Sequence, residues 1–355
     1  MPYVNRLKLS NFMIFENLDL EFSKNINIIS GENSTGKTAV LKILYSSLKA
    51  VNEANKSRSD LTREKNEEIL VSKLQGVFRP DNYSIGRLVG RIQGSNRAEI
   101  SVGLSDNSEM SFGFGNRQEK HLDMHYPIKD FMKGIEPVYI PPKEIISATE
   151  NFISLYTEYH IAFEETYYDL ARLLDKPLRK GPNTNEQNRV LDKFGDIISG
   201  NIVQRDKKFY LKTKGVGEIE MGLVSEGYRK LSTIMYLILS GSLGKNSILL
   251  WDEPESNMNP KMIQPLTEAL IELAQMGVQI FVTTHDYFLQ QSFSLATKYE
   301  EKGKKMDINF ISLYKEDGIL KYEKEKKLND LKHNSIMEEF DHLYEREQEL
   351  FYGHN

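Results

Sequence analysis

The stretch Gly31-Glu32-Asn33-Ser34-Thr35-Gly36-Lys37-Thr38 meets every fixed position of the pattern G-x-x-x-x-G-K-[ST], and it leaves the chain few folds to choose from. Upstream, Ile26-Asn27-Ile28-Ile29-Ser30 is a β-branched run that reads as a buried strand aimed into the glycine turn. Downstream, Ala39, Val40, Leu41, Ile43 and Leu44 recur at helical spacing. A strand, a glycine turn and a helix in that order set backbone N–H groups at a helix N-terminus, where an anion is stabilised. The spacing therefore predicts an α/β fold with a loop that cradles a nucleoside triphosphate. Lys37 reaches its β- and γ-phosphates, Thr38 offers a hydroxyl to Mg2+, and Gly31 and Gly36 permit close backbone approach.

A chain of 355 residues has room for one large α/β domain with an inserted subdomain, or for two modest domains. Its 39% hydrophobic and 27% charged residues are ordinary for a folded globular protein and point away from disorder. No apolar run reaches the roughly 18 residues of a membrane span, and the N-terminus lacks a signal-peptide pattern, so a cytoplasmic protein without a membrane partner is expected. The absence of cysteine excludes disulfides, thiolate metal sites and a cysteine nucleophile. A net charge of −5 speaks against a nucleic-acid footprint spread over the whole surface, although a local basic groove remains compatible with it.

Residues 4–22 read as two strands, with Glu16-Asn17 at the turn into the second. Residues 51–74, dense in Asn, Lys, Glu, Ser and Arg, read as a polar, mostly solvated helix. Alternating pieces such as Ala98-Glu99-Ile100-Ser101-Val102 predict an antiparallel edge sheet over residues 85–114. Pro137-Val138-Tyr139-Ile140 is a buried strand that must stop at Pro141-Pro142. Residues 146–198 carry apolar and aromatic positions at helical spacing, broken by a loop at 180–185, and predict an inserted helical subdomain. A strand pair around Gly215 and Gly217 follows. A last strand at 307–314 ends at Asp317-Gly318, the Lys-rich run to Lys327 reads as a solvated face, and Ser335-Ile336-Met337-Glu338 fits a capping box opening an amphipathic helix. His121 and His125 have the spacing of zinc ligands, but Gly113, Gly115 and Pro127 make their surroundings too little helical to support a metal role.

Three further motifs carry chemistry. Ser225 and Gly227 stand at the mouth of a helix marked by Leu231, Ile234, Met235 and Ile238, a second place for an anion or simply a capped helix start. Ser247-Ile248-Leu249-Leu250-Trp251 is a buried strand that delivers Asp252 and Glu253 to its C-terminal end, where α/β sheets bind ligands. A strand this apolar does not leave two adjacent charges without a partner ion, so Asp252 is assigned to Mg2+ and Glu253 to the attacking water. Asn259-Pro260 opens the next helix, and Val278 to Thr284 is another buried strand with His285-Asp286 at its end. His285 is there a candidate donor to the γ-phosphate.

Taken in order, the phosphate loop, Ser225-Glu226-Gly227, Asp252-Glu253-Pro254 and Thr284-His285-Asp286 resemble the motif series of ABC-type ATPase heads. The match is nearest the branch of SMC proteins, RecF and the ATPase half of OLD-family nucleases, often called AAA-family ATP-binding proteins; the opening Leu9-Ser10-Asn11-Phe12 fits the same branch. The resemblance covers most of residues 1–300. It implies an ABC-type P-loop fold with an ATPase lobe over 1–150, a helical subdomain over 151–205, a second lobe over 206–300 and C-terminal strands and helix over 301–355. It also implies that Ser225 and Gly227 touch the γ-phosphate held by a partner subunit, that Glu253 is the base, and that His285 is a switch. Asn259 falls near the loop that crosses the dimer interface. Two departures stand out: Met13 occupies a position commonly Arg or Lys, and Pro142 replaces the usual glutamine, leaving Lys143, Glu144, Gln75 and Gln93 as substitutes.

The function this implies is an ATP-gated homodimer or higher homo-oligomer that controls a protein effector, as OLD-like ATPases do in antiphage defence. A RecF-like, DNA-binding repair ATPase is the alternative. An OLD-type nuclease is least favoured: it needs a further metal-binding domain of about 100 residues, whereas roughly 70 follow the histidine motif without an Asp-x-Asp pair.

Overall fold

The structure, a computed structural model, describes residues 2–56, 62–91, 96–125, 131, 134–159 and 161–352. In chain order, strands β1 (Val4–Phe12), β2 (Phe15–Glu21) and β3 (Ile26–Gly31) lead into helix α1 (Lys37–Lys56). Helix α2 (Arg63–Phe78) and strands β4 (Arg97–Leu104), β5 (Glu109–Gly115), β6 (Asp123–Met124) and β7 (Glu136–Ile140) follow. Then come α3 (Phe152–Tyr159), α4 (Glu165–Leu174), α5 (Asn185–Ile198), β8 (Gly200–Arg205), β9 (Lys208–Thr213), β10 (Gly217–Glu220) and α6 (Glu226–Leu239). The chain continues through β11 (Ser247–Asp252), α7 (Ile263–Gln275), β12 (Gln279–Thr284), α8 (Tyr287–Tyr299), β13 (Ile308–Glu316), β14 (Ile319–Glu325) and α9 (Ser335–Tyr352).

A six-stranded sheet in the order β14-β13-β3-β12-β11-β7 forms the centre, parallel throughout except for its edge strand β14. Its strands bury both faces by simple alternation: Ile248, Leu250, Phe281 and Ile29 enter one core, and Leu249, Trp251, Ile280 and Ile28 the other. Helix α1 lies in the first core, between this sheet and a five-stranded antiparallel sheet ordered β2-β1-β4-β5-β6. Helices α5 to α8 fill the second core, closed off by the three-stranded sheet β10-β9-β8. Register levels the strand ends that matter, with Thr284 opposite Ser30 and Asp252 opposite Thr283.

Several local expectations change. The hairpin turn falls at Met13-Ile14, because Phe12 pairs with Phe15 and Asn17 is already in the ladder opposite Ser10. An apolar tip suits this turn because it leans on the phosphate loop: a Cβ on Gly36 would lie 2.4 Å from Phe15 Cζ and 3.1 Å from Ile14 Cδ1. The polar stretch after α1 is not one solvated helix. Helix α2 buries Leu70, Leu74 and Val77, an i, i+4, i+7 stripe that a dense polar background conceals. The antiparallel sheet expected over residues 85–114 is present and larger, since β1 and β2 complete it, while Ile85–Leu88 is a turn of 3₁₀ helix. The Lys-rich run is the edge strand β14, where lysines discourage further pairing. Helix α9 is capped one residue earlier than Ser335: Asn334 Oδ1 accepts from Ile336 N at 3.3 Å, and Glu338 Oε1 accepts from Asn334 N at 2.9 Å.

Candidate active site

The turn between β3 and α1 is made by backbone that only glycine tolerates. Gly31 (φ +147°) passes so close to β13 that a Cβ would sit 2.2 Å from the Leu313 carbonyl oxygen, and Gly36 adopts φ +88° beneath the hairpin tip. Inside the loop Thr35 Oγ1 donates to Glu32 O at 2.8 Å. Lys37 turns back into the loop, where Nζ donates to Gly31 O and Glu32 O, each at 2.8 Å. Burial lowers the Lys37 pKa from its ordinary value, opposed by the carboxylates of Glu253, Asp252, Glu255 and Glu32. Two backbone carbonyls are a weak partner set for a buried ammonium, so this cation suits an anion entering the loop.

Asp252 is completely buried at the end of β11 and accepts three hydroxyls. Thr38 Oγ1 lies at 3.1 Å, Thr283 Oγ1 at 2.5 Å and Tyr139 Oη at 3.0 Å. Burial, followed by the charge of Asp252, raises the Tyr139 pKa well above its ordinary value and keeps it a donor. Thr38 at the start of α1 and Asp252 at the end of β11 thus share one point, an oxygen pair suited to Mg2+. Glu253 has φ +48°, a left-handed conformation costing a non-glycine residue roughly 1–2 kcal/mol, held by its N–H to Thr283 O at 3.2 Å. That turn aims its carboxylate outward, where Oε1 stands 3.3 Å from His285 Nδ1. Asp286 points elsewhere, and its Oδ1 caps α8 by accepting from Leu289 N at 2.7 Å.

The structure therefore brings Lys37, Thr38, Asp252, Glu253 and His285 to one edge of the sheet, with exposed Glu32, Asn33 and Ser34 at the loop's crown. Ser225 and Gly227 stay apart from this group, with no hydrogen bond to it among the described residues. Ser225 is exposed and its hydroxyl makes no capping bond, so the simple helix-cap reading has no support. Gly227 faces the segment after Glu253, where a Cβ would lie 3.2 Å from Met258 Cγ. Of the candidates for the missing glutamine, Gln75 is spent on Tyr83 O and Glu119 O, Gln93 lies outside the described residues, and Glu144 pairs with Arg229 of α6 at 3.0 Å.

Sequence reading missed the residues behind the site. Lys230, 1% exposed, donates to Glu253 O at 3.2 Å and Ser256 O at 2.9 Å, tying α6 to the turn that carries Glu253. Glu255 accepts from Thr284 Oγ1 at 2.6 Å, and burial pushes its pKa up to about 7. Tyr139 alone had left a signal, as the one hydroxyl in the buried run Pro137-Val138-Tyr139-Ile140.

A parallel sheet with a phosphate loop, an acidic pair and a histidine at one edge, joined across α1 to an antiparallel sheet and flanked by a helical layer, is the architecture of an ABC-type ATPase head. The family described as "AAA domain, putative AbiEii toxin, Type IV TA system" matches residues 53–289, and the chain belongs to it. Among curated relatives, the DNA replication and repair protein RecF of Clostridium kluyveri is 51% identical over 43 residues, 12% of each chain. That of Clostridium acetobutylicum is 35% identical over 69 residues, 19% of each chain. The matched stretches thus span less than a fifth of these relatives. Among solved structures, the SmcHead bound to the C-winged helix domain of ScpA has a TM-score of 0.54 at 12% identity, covering 91% of this chain and 97% of that one. The Smc head domain bound to the C-terminal domain of ScpA from Pyrococcus furiosus has a TM-score of 0.54 at 13% identity, covering 97% and 100%. At such identities the likeness establishes the fold. The chain therefore belongs to an AAA-domain family and has the fold of an ABC-type ATPase head. Among the described residues no helix is long and apolar enough to cross a membrane.

Proposed function

We propose that this ATPase works as a nucleotide-gated switch in which two copies close over ATP. Lys37 neutralises the β- and γ-phosphates, together with the N–H groups of residues 31–38, and Thr38 and Asp252 hold Mg2+. Bound there, Mg2+ withdraws charge from the phosphate oxygens. Glu253 accepts the proton of the attacking water, and His285, 3.3 Å from that carboxylate, orients it and senses the γ-phosphate. Ser225, exposed at the start of α6, and Gly227, buried two residues further on against the segment after Glu253, serve the γ-phosphate of the partner copy. The observation that carries this reading is the meeting of Thr38 and Asp252 at 3.1 Å beside a Glu253 whose strained backbone turns its carboxylate toward His285.

The state of the dimer passes to a protein effector through α6, fastened by Lys230 to the turn that carries Glu253, and we place this switch in bacterial antiphage defence. The short identities to RecF favour a second reading, a DNA-binding repair ATPase. Duplex affinity that falls steeply with salt would support that reading. The switch is tested with Glu253→Gln and Ser225→Arg. Glu253→Gln binds ATP, hydrolyses it at least a hundredfold more slowly and accumulates a closed state, detected by crosslinking the loop region to the signature region of the other copy. Ser225→Arg binds ATP equally well and gives no such crosslink. Equal closure in both variants overturns the shared site.

A further inference from the structure

Two residues beyond Glu253, the same turn carries a carboxyl that the nucleotide site does not use. Glu255 is 7% exposed, and its Oε1 accepts from Thr284 Oγ1 at 2.6 Å. Its Oε2 is buried with no hydrogen-bond partner among the described residues. A carboxyl with one bare buried oxygen costs stability that an apolar side chain in its place would not, so it is a poor device for holding the fold together. Burial pushes its pKa up to about 7, favouring the neutral acid that a dry pocket tolerates.

What Glu255 holds explains its place. Thr284 is the wholly buried last residue of β12, and its hydroxyl donates to Glu255 while accepting from Asp286 N at 2.9 Å. The second bond closes a turn over residues 284–286 with His285 at its middle. Lys230 ties the turn that carries Glu253 to α6, and the Glu253 N–H ties it to Thr283 O, but neither bond reaches His285. Apart from the Glu253–His285 pair itself, the bond from Thr284 to Glu255 is the only hydrogen bond among the described residues between residues 253–258 and residues 284–286. It joins the two segments that bring a carboxylate and an imidazole to 3.3 Å. In a reacting pair, a misplacement of about 1 Å is enough to cost on the order of a hundredfold in rate.

We propose that Glu255 is a positioning residue, which through the Thr284 hydroxyl sets where the His285 ring stands against the Glu253 carboxylate. Buried behind the turn, it acts on the reaction only through His285. The consequence for turnover rests on the hydrolytic reading given above, whereas the placement of the ring rests on the geometry alone.

The test compares Glu255→Ala and Thr284→Val, which remove the two ends of the bond in turn, with Glu255→Gln, which keeps an acceptor oxygen for Thr284. Valine retains the branched shape of the strand residue, so Thr284→Val serves where Glu255→Ala does not fold. In the first two variants kcat is expected to fall at least tenfold with KM for ATP within twofold of wild type, and Glu255→Gln to keep at least half the turnover. On the residual turnover of His285→Ala, adding Glu255→Ala costs less than a further twofold, a non-additivity that general loosening of the site does not give. A second readout needs no ATP. The His285 ring signal in the NMR spectrum of the nucleotide-free protein, identified by its loss in His285→Ala, shifts in Glu255→Ala and Thr284→Val and keeps its wild-type position in Glu255→Gln. A ring signal unmoved in both variants, turnover unaffected in both, or a full tenfold loss that persists in the His285→Ala background overturns the proposal. A wild type without ATP turnover overturns the hydrolytic reading instead, and the ring signal then decides the placement.

Discussion

At the scale of single residues, the site is governed by how one buried charge is satisfied. Asp252 is wholly buried yet accepts three hydroxyls, two from threonines on neighbouring elements and one from Tyr139. A hydrogen bond to a charged group contributes about 1.5–3 kcal/mol, and losing the donor leaves part of the carboxylate bare. Tyr139→Phe removes only that donor while keeping the ring that packs against Tyr45 at 5.3 Å. Urea denaturation should show a loss of about 2 kcal/mol. Turnover should fall several-fold with ATP affinity nearly unchanged, because Lys37 and the loop N–H groups remain. A variant with wild-type stability and turnover would remove Tyr139 from the support of Asp252.

At the scale of elements, helices α1, α2 and α4 meet around another buried charge. Lys73, 3% exposed, faces Glu165 at 2.6 Å, Glu53 at 2.9 Å and Asp169 at 3.2 Å, and Asp169 also accepts from Tyr45 Oη at 2.7 Å. Burial alone would depress the Lys73 pKa, but Asp169, Glu165 and Glu53 outweigh it and raise it. Burial pushes Glu165 up to about 7 even with the lysine present. Lys73→Ala would leave three carboxylates facing one another, so the loss should reach about 3–5 kcal/mol at pH 8. It should be smaller at pH 5.5, where the carboxyls can protonate. Chemical denaturation at the two pH values checks this, and an equal loss at both would show that the lysine acts through packing alone. This cluster also explains the misjudged stretch after α1: its charges were read as solvated because their partners lie about a hundred residues away, on α4.

At the scale of the whole molecule, Glu165 and Glu255 share a property that sets its pH response. Burial raises each from 4.5 to about 7 in the folded chain, so the folded state holds a proton that the unfolded state releases above about 4.5. Their contribution is therefore most favourable below pH 4.5 and is lost as pH rises through about 7, by at most on the order of 3 kcal/mol each. Asp19 and Asp123 act in the opposite sense: hydrogen bonds from Arg6 and Arg97 lower their pKa values, giving stability that disappears as pH falls through those lowered values. The nucleotide-free protein in EDTA should melt a few degrees higher at pH 5.5 than at pH 8, and Glu255→Gln should narrow that gap. Calorimetric melts decide it, and a melting temperature that rises with pH over this range would contradict the assignment.

The sequence by itself determined the elements whose signal is local. The phosphate loop, the apolar strands around Leu249 and Phe281, and the acidic pair at a strand end follow from glycine conformation, side-chain period and the cost of burying charge, all legible over some ten residues. Only the tertiary structure decided which distant groups meet. It set Thr38 against Asp252, turned Glu253 toward His285, placed Lys230 and Glu255 behind the turn that carries Glu253, and moved the hairpin tip to Met13-Ile14 because an apolar cap was needed over Gly36. The physical reason is that such contacts depend on strand order and register, and hydrogen bonds between residues more than two hundred positions apart leave no periodicity in the chain that makes them.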